Sequence, residues 1–303
     1  MIKETADITE PVEVFGFATA RELVNQTLNV TPSAAHYSAY EEPNIPSGFQ
    51  NIDNITKGFR RGELTTIGTR PGNGKTAFLL SLIQNIAISL ERRVALFSPE
   101  RSALKVIRRL IESNTSHSVE KIRQGLLKEW DKAHTDSLVQ RIASANLFID
   151  DTTNLDAHEL LLRCHQVKQK YQAEVIFVDS PENYTAHLHD LKARANAAEE
   201  LIQTLANVAR ELDIPVVCFT QIGKPATMVN GGFTPSLDEL PSYLAVNSGT
   251  VIFIHRPEYY NLPSKDLPKG AVELIFNKHN NNIIQERTYL KFIESIDTFV
   301  DPS

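Results

Sequence analysis

Residues 69–76 read T-R-P-G-N-G-K-T, and this stretch decides the fold. One apolar run, residues 64–68, comes before it, and a second, residues 77–83, follows it. A strand, a glycine turn and a Lys-Thr pair that opens a helix are typical of a phosphate loop, whose pattern is G-x-x-x-x-G-K-[ST]. The backbone N–H groups of such a loop and the positive end of its helix bind phosphate oxygens. The stretch therefore predicts a nucleotide-phosphate cradle.

Each residue of the loop has an expected place in that cradle. The predicted cofactor-binding residues are Arg70, Pro71, Gly72, Asn73, Gly74, Lys75 and Thr76. Lys75 is expected to reach the β and γ phosphates of ATP, and the Thr76 hydroxyl is expected to be a ligand of Mg²⁺. The loop departs from the pattern at its first position, where Thr69 stands and Gly68 comes one residue too early. Because the flanking strand and helix are both in place, we interpret the stretch as a working phosphate loop rather than a chance sequence.

Polar side chains at the ends of three other predicted strands are expected to complete the site. Asp179 ends one strand and is a candidate to hold the water shell of Mg²⁺, although alone it would be read as a turn cap. Glu100 follows the second strand and is a candidate water activator, and the alternative is a glutamate favoured by a helix N-terminus. Gln221 follows a third strand and could sense the γ-phosphate. Carboxyl ends of parallel strands converge on the ligand crevice, so these side chains should meet there.

From residue 47 onward, strands and helices alternate, which predicts a doubly wound α/β domain. The predicted strands are 64–69, 94–98, 147–150, 175–179, 215–220, 250–254, 271–277 and 287–293. The predicted helices are 75–90, 102–114, 118–125, 129–144, 156–171 and 193–212. Several strands are continuous apolar runs, which is typical of a parallel sheet covered on both faces. The last two strands have no helix between them, so an antiparallel edge is expected.

Residues 1–44 are predicted to form a polar tail, a linker helix and a tether, and residues 45–303 the main domain. Apolar side chains recur at helical spacing over residues 15–28, and three prolines within residues 29–46 suit a linker. The linker helix has two alternatives. It folds back on its own domain, or it docks on a neighbouring subunit.

Composition excludes several classes of protein. The chain has 303 residues, of which 42% are hydrophobic and 22% charged, and its net charge of −6 argues against a globally basic DNA-coating protein. Cys164 and Cys218 form no CxxC pair and are expected to be reduced, and the histidines show no metal-ligand spacing. No signal peptide is found, and no apolar run reaches the ~18 residues of a membrane span. We expect a cytoplasmic protein with no membrane partner.

A larger pattern surrounds the loop. The run from Ser47 to Leu64, followed by the loop itself, resembles the C-terminal motor domain of DnaB-type replicative helicases. Residues 97–100, Phe-Ser-Pro-Glu, are similar to the family's Ser-Leu-Glu-Met, and further similar segments lie at 122–125, 147–151, 209–216 and 220–221. The resemblance covers roughly residues 45–295. It implies a RecA-like P-loop NTPase fold and a ring, usually a hexamer, that uses ATP to move along single-stranded DNA.

The resemblance also implies roles for particular residues. Lys75 and Thr76 would bind phosphate and Mg²⁺, Glu100 would activate water, Asp179 would hold the metal shell, and Gln221 would couple the γ-phosphate to DNA loops. The helix at 15–28 lies where the family's linker helix docks on the adjacent subunit. Only some 45 residues precede the motor, so the family's N-terminal primase-contacting domain is expected to be absent.

Three departures from the family pattern are visible. Residues 180–183 read Ser-Pro-Glu-Asn where the family has Tyr-Leu-Gln-Leu, and residues 245–249 lack the family's acids. The segment that acts in trans, Lys-x-Arg-x-Gly, begins here with Lys278, a candidate catalytic residue, but has Asn280 at the arginine position. An arginine finger can contribute ~10³–10⁵ in rate. We therefore expect intact nucleotide binding and slow hydrolysis, unless another arginine such as Arg256 or Arg287 substitutes.

Two loops are candidates for DNA contact. One is residues 183–198, with Lys192 and Arg194, and the other is residues 222–236, with Lys224. In a ring, one or two positive charges per subunit can suffice, and ordinary solvated loops are the alternative.

Three functions follow from these patterns. The leading hypothesis is an ATP-dependent, helicase-like motor acting on DNA in replication. The alternative is a hydrolysis-poor nucleotide-binding assembly or regulatory protein with a helicase fold. A RecA-like ATPase acting on protein or RNA is the third, and DNA-stimulated turnover separates the first from the other two.

Overall fold

The structure of the protein is a computed structural model, which describes residues 16–28, 44–223, 234–260 and 267–302. Its strands are β1 (Phe17–Thr19), β2 (Asn44–Ile45), β3 (Phe59–Arg60), β4 (Leu64–Thr69), β5 (Val94–Phe97), β6 (Leu147–Asp150), β7 (Val175–Asp179), β8 (Val216–Gln221), β9 (Thr250–His255), β10 (Ala271–His279), β11 (Asn282–Ile293) and β12 (Thr298–Val300). Its α-helices are α1 (Ala20–Leu28), α2 (Gln50–Thr56), α3 (Lys75–Ile83), α4 (Ala103–Thr115), α5 (Val119–Arg123), α6 (Glu129–Ala143), α7 (Ala157–Tyr171), α8 (Leu191–Leu212) and α9 (Ser242–Asn247). A π-helix, Gln84–Ser89, continues α3.

Ten of these strands form one sheet, in the order β1-β6-β5-β7-β8-β4-β9-β10-β11-β12. The six strands from β6 to β9 in this order are parallel, and antiparallel strands flank them on both sides. This confirms the predicted parallel sheet and its antiparallel edge at β10 and β11. Strand β4 lies between β8 and β9, so the loop that follows it emerges from the middle of the sheet.

The sheet separates two hydrophobic cores, because successive residues of a strand face opposite sides. In β7, Val175 and Phe177 belong to the core beneath α3, α4 and α6, whereas Ile176 and Val178 belong to the core beneath α7 and α8. All five residues of β7 are buried. Continuous apolar sequence in the central strands therefore reflects burial on both faces.

The N-terminal helix is shorter than the predicted 15–28, and that prediction was wrong for residues 17–19. These residues form β1, which pairs antiparallel with β6. The ring of Phe17 packs edge-on against Phe97 with centroids 5.4 Å apart. A reciprocal cap then begins the helix: Thr19 N–H donates to Glu22 Oε2 at 2.8 Å, and Glu22 N–H donates to Thr19 Oγ1 at 3.2 Å.

Helix α1 packs on the domain of its own chain, which is the first of the two alternatives given for the linker helix. Ala20, Leu23 and Val24 are buried, and they join the same core as α4 and α6. Residues 29–43, which include most of the predicted tether, lie outside the described residues, and the division of the chain at residues 44 and 45 stays a prediction. Among the described residues, no helix combines the length and apolar character that a membrane crossing requires.

We expect Leu23→Ala to lower the free energy of unfolding by about 2–4 kcal/mol, because it empties a buried position between α1 and the domain. Chemical denaturation at two protein concentrations measures the loss. Since the contact lies within one chain, the loss should be the same at both concentrations. The matched control is Gln26→Ala on the exposed face of α1, which should change stability by less than about 0.5 kcal/mol. A loss for Leu23→Ala that grows on dilution would instead place α1 on a neighbouring chain.

Candidate nucleotide-binding site

The phosphate loop connects the end of β4 to the start of α3. Gly72 and Gly74 have positive φ angles of 80° and 91°, which only glycine adopts without strain. A Cβ at Gly72 would lie 2.3 Å from Cζ of Tyr259, so a larger residue there would also displace that exposed ring. The first turn of α3 faces the loop, and its free N–H groups favour phosphate there.

Asn73 holds the loop against the sheet. Its side chain is fully buried, and Nδ2 donates to the backbone oxygen of Ile254 at 3.3 Å. Its N–H donates to the backbone oxygen of Arg70 at 3.2 Å, which closes the turn. The loop is therefore tied to β9 on one side and continues β4 on the other.

A cavity of about 470 Å³ lies over the loop. This volume falls in the range of small-molecule sites. The structure brings several predicted site residues to its wall: Arg70, Pro71, Gly72, Gly74, Lys75, Thr76, Glu100 and Gln221. Gln221 ends β8, beside Thr69 at the end of β4. The convergence of strand ends predicted from the sequence is thus present in the geometry.

Lys75 lies between two carboxylates. Its Nζ is 2.7 Å from Oδ1 of Asp179 and 3.3 Å from Oε2 of Glu100. Asp179 is only 1% exposed at the end of β7. Burial alone lowers the pKa of Lys75, but the charge and hydrogen bond of Asp179, with the charge of Glu100, outweigh it, so the pKa is raised. Lys75 is therefore held as a cation beneath the cavity.

The residues at the site suit a hard divalent cation. Mg²⁺ is bound in such sites through one or two carboxylates, waters and phosphate oxygens. Asp179 provides a buried carboxylate, and Thr76 provides a hydroxyl at the cavity wall. Among the described residues there is no cluster of three or more His, Cys, Asp or Glu arranged to hold a metal by themselves. The protein's own donors are thus few, which leaves coordination positions for phosphate and water.

The short turn after Asp179 adds contacts that the sequence did not reveal. In the 3₁₀ turn Pro181–Thr185, Asn183 Nδ2 donates to Oγ of Ser180 at 3.1 Å and reaches Oε2 of Glu100 at 3.5 Å. The Thr220 hydroxyl donates to the carboxylate of Glu182. These contacts connect the end of β7 to Glu100 and to the end of β8. The sequence shows three polar residues among the four that follow the aspartate, but it does not show which strand ends they reach.

Four arginines line the cavity, and each is paired with a carboxylate. The pairs are Arg70 with Glu239, Arg101 with Glu100, Arg109 with Asp297, and Arg256 with Glu294. Arg70 is only 1% exposed, and its Nη2 donates to both oxygens of Glu239, at 2.7 and 2.5 Å. Its guanidinium therefore braces the loop against the segment that precedes α9. Arg256 also lies over the ring of Phe292, at 4.4 Å from the centroid.

Lys278 and Asn280 lie at the opposite end of the sheet from the loop. Glu273 of β10 pairs with His255 at the end of β9, whereas Lys278 pairs with Val251 near its start. Six residues of β10 lie between Glu273, which pairs with His255, and the hairpin turn. This is about 20 Å along the strand. Lys278 Nζ donates to the backbone oxygen of Ala245 at 3.0 Å, and burial lowers its pKa.

The two DNA-contact candidates that the structure describes lie on a helix and not in a loop. Lys192 and Arg194 are exposed in the first turn of α8, so the predicted loop 183–198 is wrong for these residues, whereas the predicted helix 193–212 is confirmed and begins two residues earlier, at Leu191. Asp190 caps the helix, because its Oδ1 accepts from the N–H of Ala193 at 2.7 Å. That aspartate was the signal for an earlier helix start. Lys224 and most of the loop 222–236 lie outside the described residues.

A phosphate loop between a central parallel strand and a helix, with carboxylates at neighbouring strand ends, defines a RecA-like P-loop NTPase domain. The chain belongs to the DnaB-like helicase C terminal domain family, whose model matches residues 44–301. The resemblance seen in the sequence is confirmed.

The chain is similar to curated replicative DNA helicases. It is 27% identical to the replicative DNA helicase DnaB of Geobacillus stearothermophilus over 259 residues, which cover 85% of this chain and 56% of that protein. It is 30% identical to the DnaB of Treponema pallidum over 282 residues, or 90% of this chain and 63% of that protein. The chain thus spans little more than half the length of these relatives.

Two solved structures are similar along most of this chain. A structure of a DnaB-like replicative helicase and its interactions with primase has a TM-score of 0.74 and 26% identity, and the match covers 86% of this chain and 62% of that one. A solved ATPase domain has the same TM-score of 0.74 and 27% identity, and the match covers 86% of this chain and 93% of that one. These likenesses confirm the predicted fold class.

We expect Glu239→Ala to lower the free energy of unfolding by about 3 kcal/mol or more, because it removes the carboxylate that holds a buried guanidinium. Thermal or chemical denaturation measures the loss. Asp238→Ala is the matched control, since Asp238 is the neighbouring acid and lies outside this pair. Equal, small effects of both substitutions would show that the Arg70–Glu239 pair does not brace the loop.

Proposed function

We propose that this chain is the ATP-driven motor domain of a replicative-type DNA helicase, that it works as a homo-oligomeric ring, and that it acts on single-stranded and duplex DNA. One observation carries the proposal. A phosphate loop at the centre of the sheet meets Glu100, Asp179 and Gln221 at the wall or base of one cavity. The family of the chain and the replicative helicases that it resembles support DNA as the substrate.

Nucleotide binding requires Lys75 to change partners. In the structure its ammonium is held by Asp179 and Glu100. With ATP phosphates in the loop, Lys75 would turn to the β and γ phosphates, and Asp179 would be available to hold the water shell of Mg²⁺. Thr76 offers its hydroxyl on the same side. Bound Mg²⁺ would supply charge neutralisation for the phosphates.

Glu100 is proposed as the residue that orients and polarises the attacking water. It lies at the cavity wall after the end of β5, and three neighbours fix its carboxylate: Lys75, Arg101 and Asn183. Gln221 at the end of β8 is proposed to report the presence of the γ-phosphate. The segment that follows it includes Lys224, and we propose that Lys192, Arg194 and Lys224 contact the DNA backbone.

A second candidate function is a nucleotide-binding assembly or regulatory protein that hydrolyses ATP poorly. The observation that favours it is Asn280, because an amide cannot spread positive charge over a transferring phosphoryl group as arginine does. Both candidates use the same cradle, but only the motor turns over ATP in response to DNA.

We expect the chain to hydrolyse ATP with Mg²⁺, and we expect single-stranded DNA to stimulate the rate. Lys75→Ala should abolish turnover, because the cradle then lacks its phosphate-binding cation. Steady-state phosphate release with and without DNA measures both effects. Lys105→Ala, on the exposed face of α4, is the matched control and should leave the rate unchanged.

Either of two other results would contradict the proposed motor function. Tight Mg-ATP binding without turnover, lost in Lys75→Ala, would establish the assembly protein. Turnover that DNA does not change would indicate an ATPase with a different substrate.

We expect Glu100→Gln to lower kcat about 10²–10⁴-fold and to leave nucleotide affinity within a few-fold of the original, because the substitution removes the base but keeps the shape. Single-turnover hydrolysis and a fluorescent-nucleotide titration separate the two quantities. Glu129→Gln at the start of α6, an exposed glutamate at a helix N-terminus, is the matched control. An unchanged kcat would leave Glu100 with only the helix-terminus role.

A further inference from the structure

Within the part of the chain that the structure describes, every arginine at the cavity wall is already balanced by a carboxylate. The four arginines are each ion-paired, as described above. Phosphoryl transfer gains most from a guanidinium whose charge is directed at the phosphoryl oxygens. A guanidinium that no carboxylate already neutralises would come from elsewhere, and a neighbouring copy is the source that an oligomeric ring allows.

Arg60 is the candidate for this guanidinium. It is exposed on β3, and its Nη1 donates to Oδ1 of Asn280 at 3.1 Å. Within the described ranges it has no carboxylate partner, whereas the adjacent Arg61 is paired with Asp213 at 3.2 Å. Asn280 thus holds the guanidinium through one nitrogen and leaves its charge uncompensated.

The support beneath Arg60 is well defined. Asn280 and Asn281 form the turn between β10 and β11 with φ angles of 49° and 63°, as in the two-residue turns that suit a hairpin. The Asn280 amide nitrogen lies 3.1 Å from Nε2 of His279, which directs its oxygen toward Arg60. The N–H of Asn281 donates to the backbone oxygen of Gly249 at 2.9 Å and fixes the turn to the sheet.

The geometry excludes action of Arg60 on its own cavity. Its contact is with the hairpin turn at the amino ends of β4 and β9, and the phosphate loop lies at their carboxyl ends. Lys278, which lies near the same turn, uses its ammonium to donate to the Ala245 carbonyl and has a lowered pKa. Arg60 is therefore the better presented cation at this end of the sheet.

We propose that Arg60, positioned by Asn280, is the catalytic arginine that reaches the γ-phosphate bound on a neighbouring copy of the chain. The inference rests on the proposed ATP-driven ring. Asn280 is then a positioning residue, because it holds the Arg60 guanidinium at the hairpin turn. Arg60 and Asn280 together would replace the single arginine of the family pattern. A nucleic-acid backbone is the less suitable ligand, because the neighbouring cations Arg61 and Lys278 are already engaged by Asp213 and by the Ala245 carbonyl. The turn residues beside Arg60 are the neutral asparagines 280–282.

The test compares Arg60→Ala with Arg61→Ala, two losses of the same charge at adjacent positions. We expect Arg60→Ala to lower kcat about 10³-fold or more, and Arg61→Ala to retain the original rate. Arg60→Ala should keep its nucleotide affinity and its oligomer mass in light scattering, because its own cradle is untouched. Arg60→Lys should also be slow, since an ammonium lacks the planar fork of guanidinium.

A mixing experiment assigns the action to the neighbouring copy. Lys75→Ala subunits keep Arg60 but lack a cradle, and Arg60→Ala subunits keep the cradle but lack the guanidinium. Each alone should be inactive. When the two variants are mixed in equal amounts and assemble at random, about one interface in four joins an intact cradle to an intact Arg60. The mixture should therefore recover turnover at those interfaces.

The outcomes distinguish the two proposals. If the unmodified chain turns over ATP through Lys75 and Arg60→Ala does so equally, the Arg60 assignment is overturned and the motor stands. Loss of oligomer mass in Arg60→Ala, weaker DNA binding with unchanged basal turnover, or no recovery on mixing would also overturn the assignment. Absence of turnover in the unmodified chain would overturn the proposed motor itself.

Discussion

The ion pair between Lys75 and Asp179 is the interaction on which the site depends. A carboxylate that is 1% exposed is costly to keep charged without a partner, and the loop lysine provides that partner at 2.7 Å. The pair also requires the loop after β4 and the end of β7 to lie at the same height along the strand direction. Strand β8 lies between these two strands, and its pairing with both sets that height. The register of the sheet therefore places the loop lysine next to Asp179, and the attraction of their charges favours the same arrangement.

Charge balance explains much of the rest of the cavity. Lys75 and the arginines at the wall all have carboxylate partners, and these partners come from separate parts of the chain, from Glu100 to Asp297. Such pairing holds the walls in place without a ligand. It also means that entering phosphates compete with carboxylates for each cation. An anion that drew Lys75 away would leave the buried carboxylate of Asp179 without its partner, and a metal ion bound with that anion would have to balance it.

Much of the fold could be predicted from the sequence, because the signals for it are local. Apolar runs identified the central strands, and the loop pattern located β4 and α3. The start of α1 was missed because a helical spacing continued through Phe17, while the cap formed by Thr19 and Glu22 was the stronger signal. At the site, Glu100 and Gln221 could be predicted because strand ends converge. The Arg70–Glu239 pair could not, since 169 positions separate its members and only folding brings them together.

At the hairpin turn, a residue from elsewhere in the chain brings a charge that the turn residues themselves lack. In sequence, Asn280 reads as the loss of an arginine. In the structure, its amide oxygen is bonded to a guanidinium that comes from β3, 220 positions away in the chain. A hydrogen-bonded guanidinium is restricted in orientation, much as a packed arginine side chain would be, and it keeps its other donors for an anion. The chemistry available at a position is thus set by the groups that fold around it, and Arg60 supplies at this turn the charge that residue 280 does not carry.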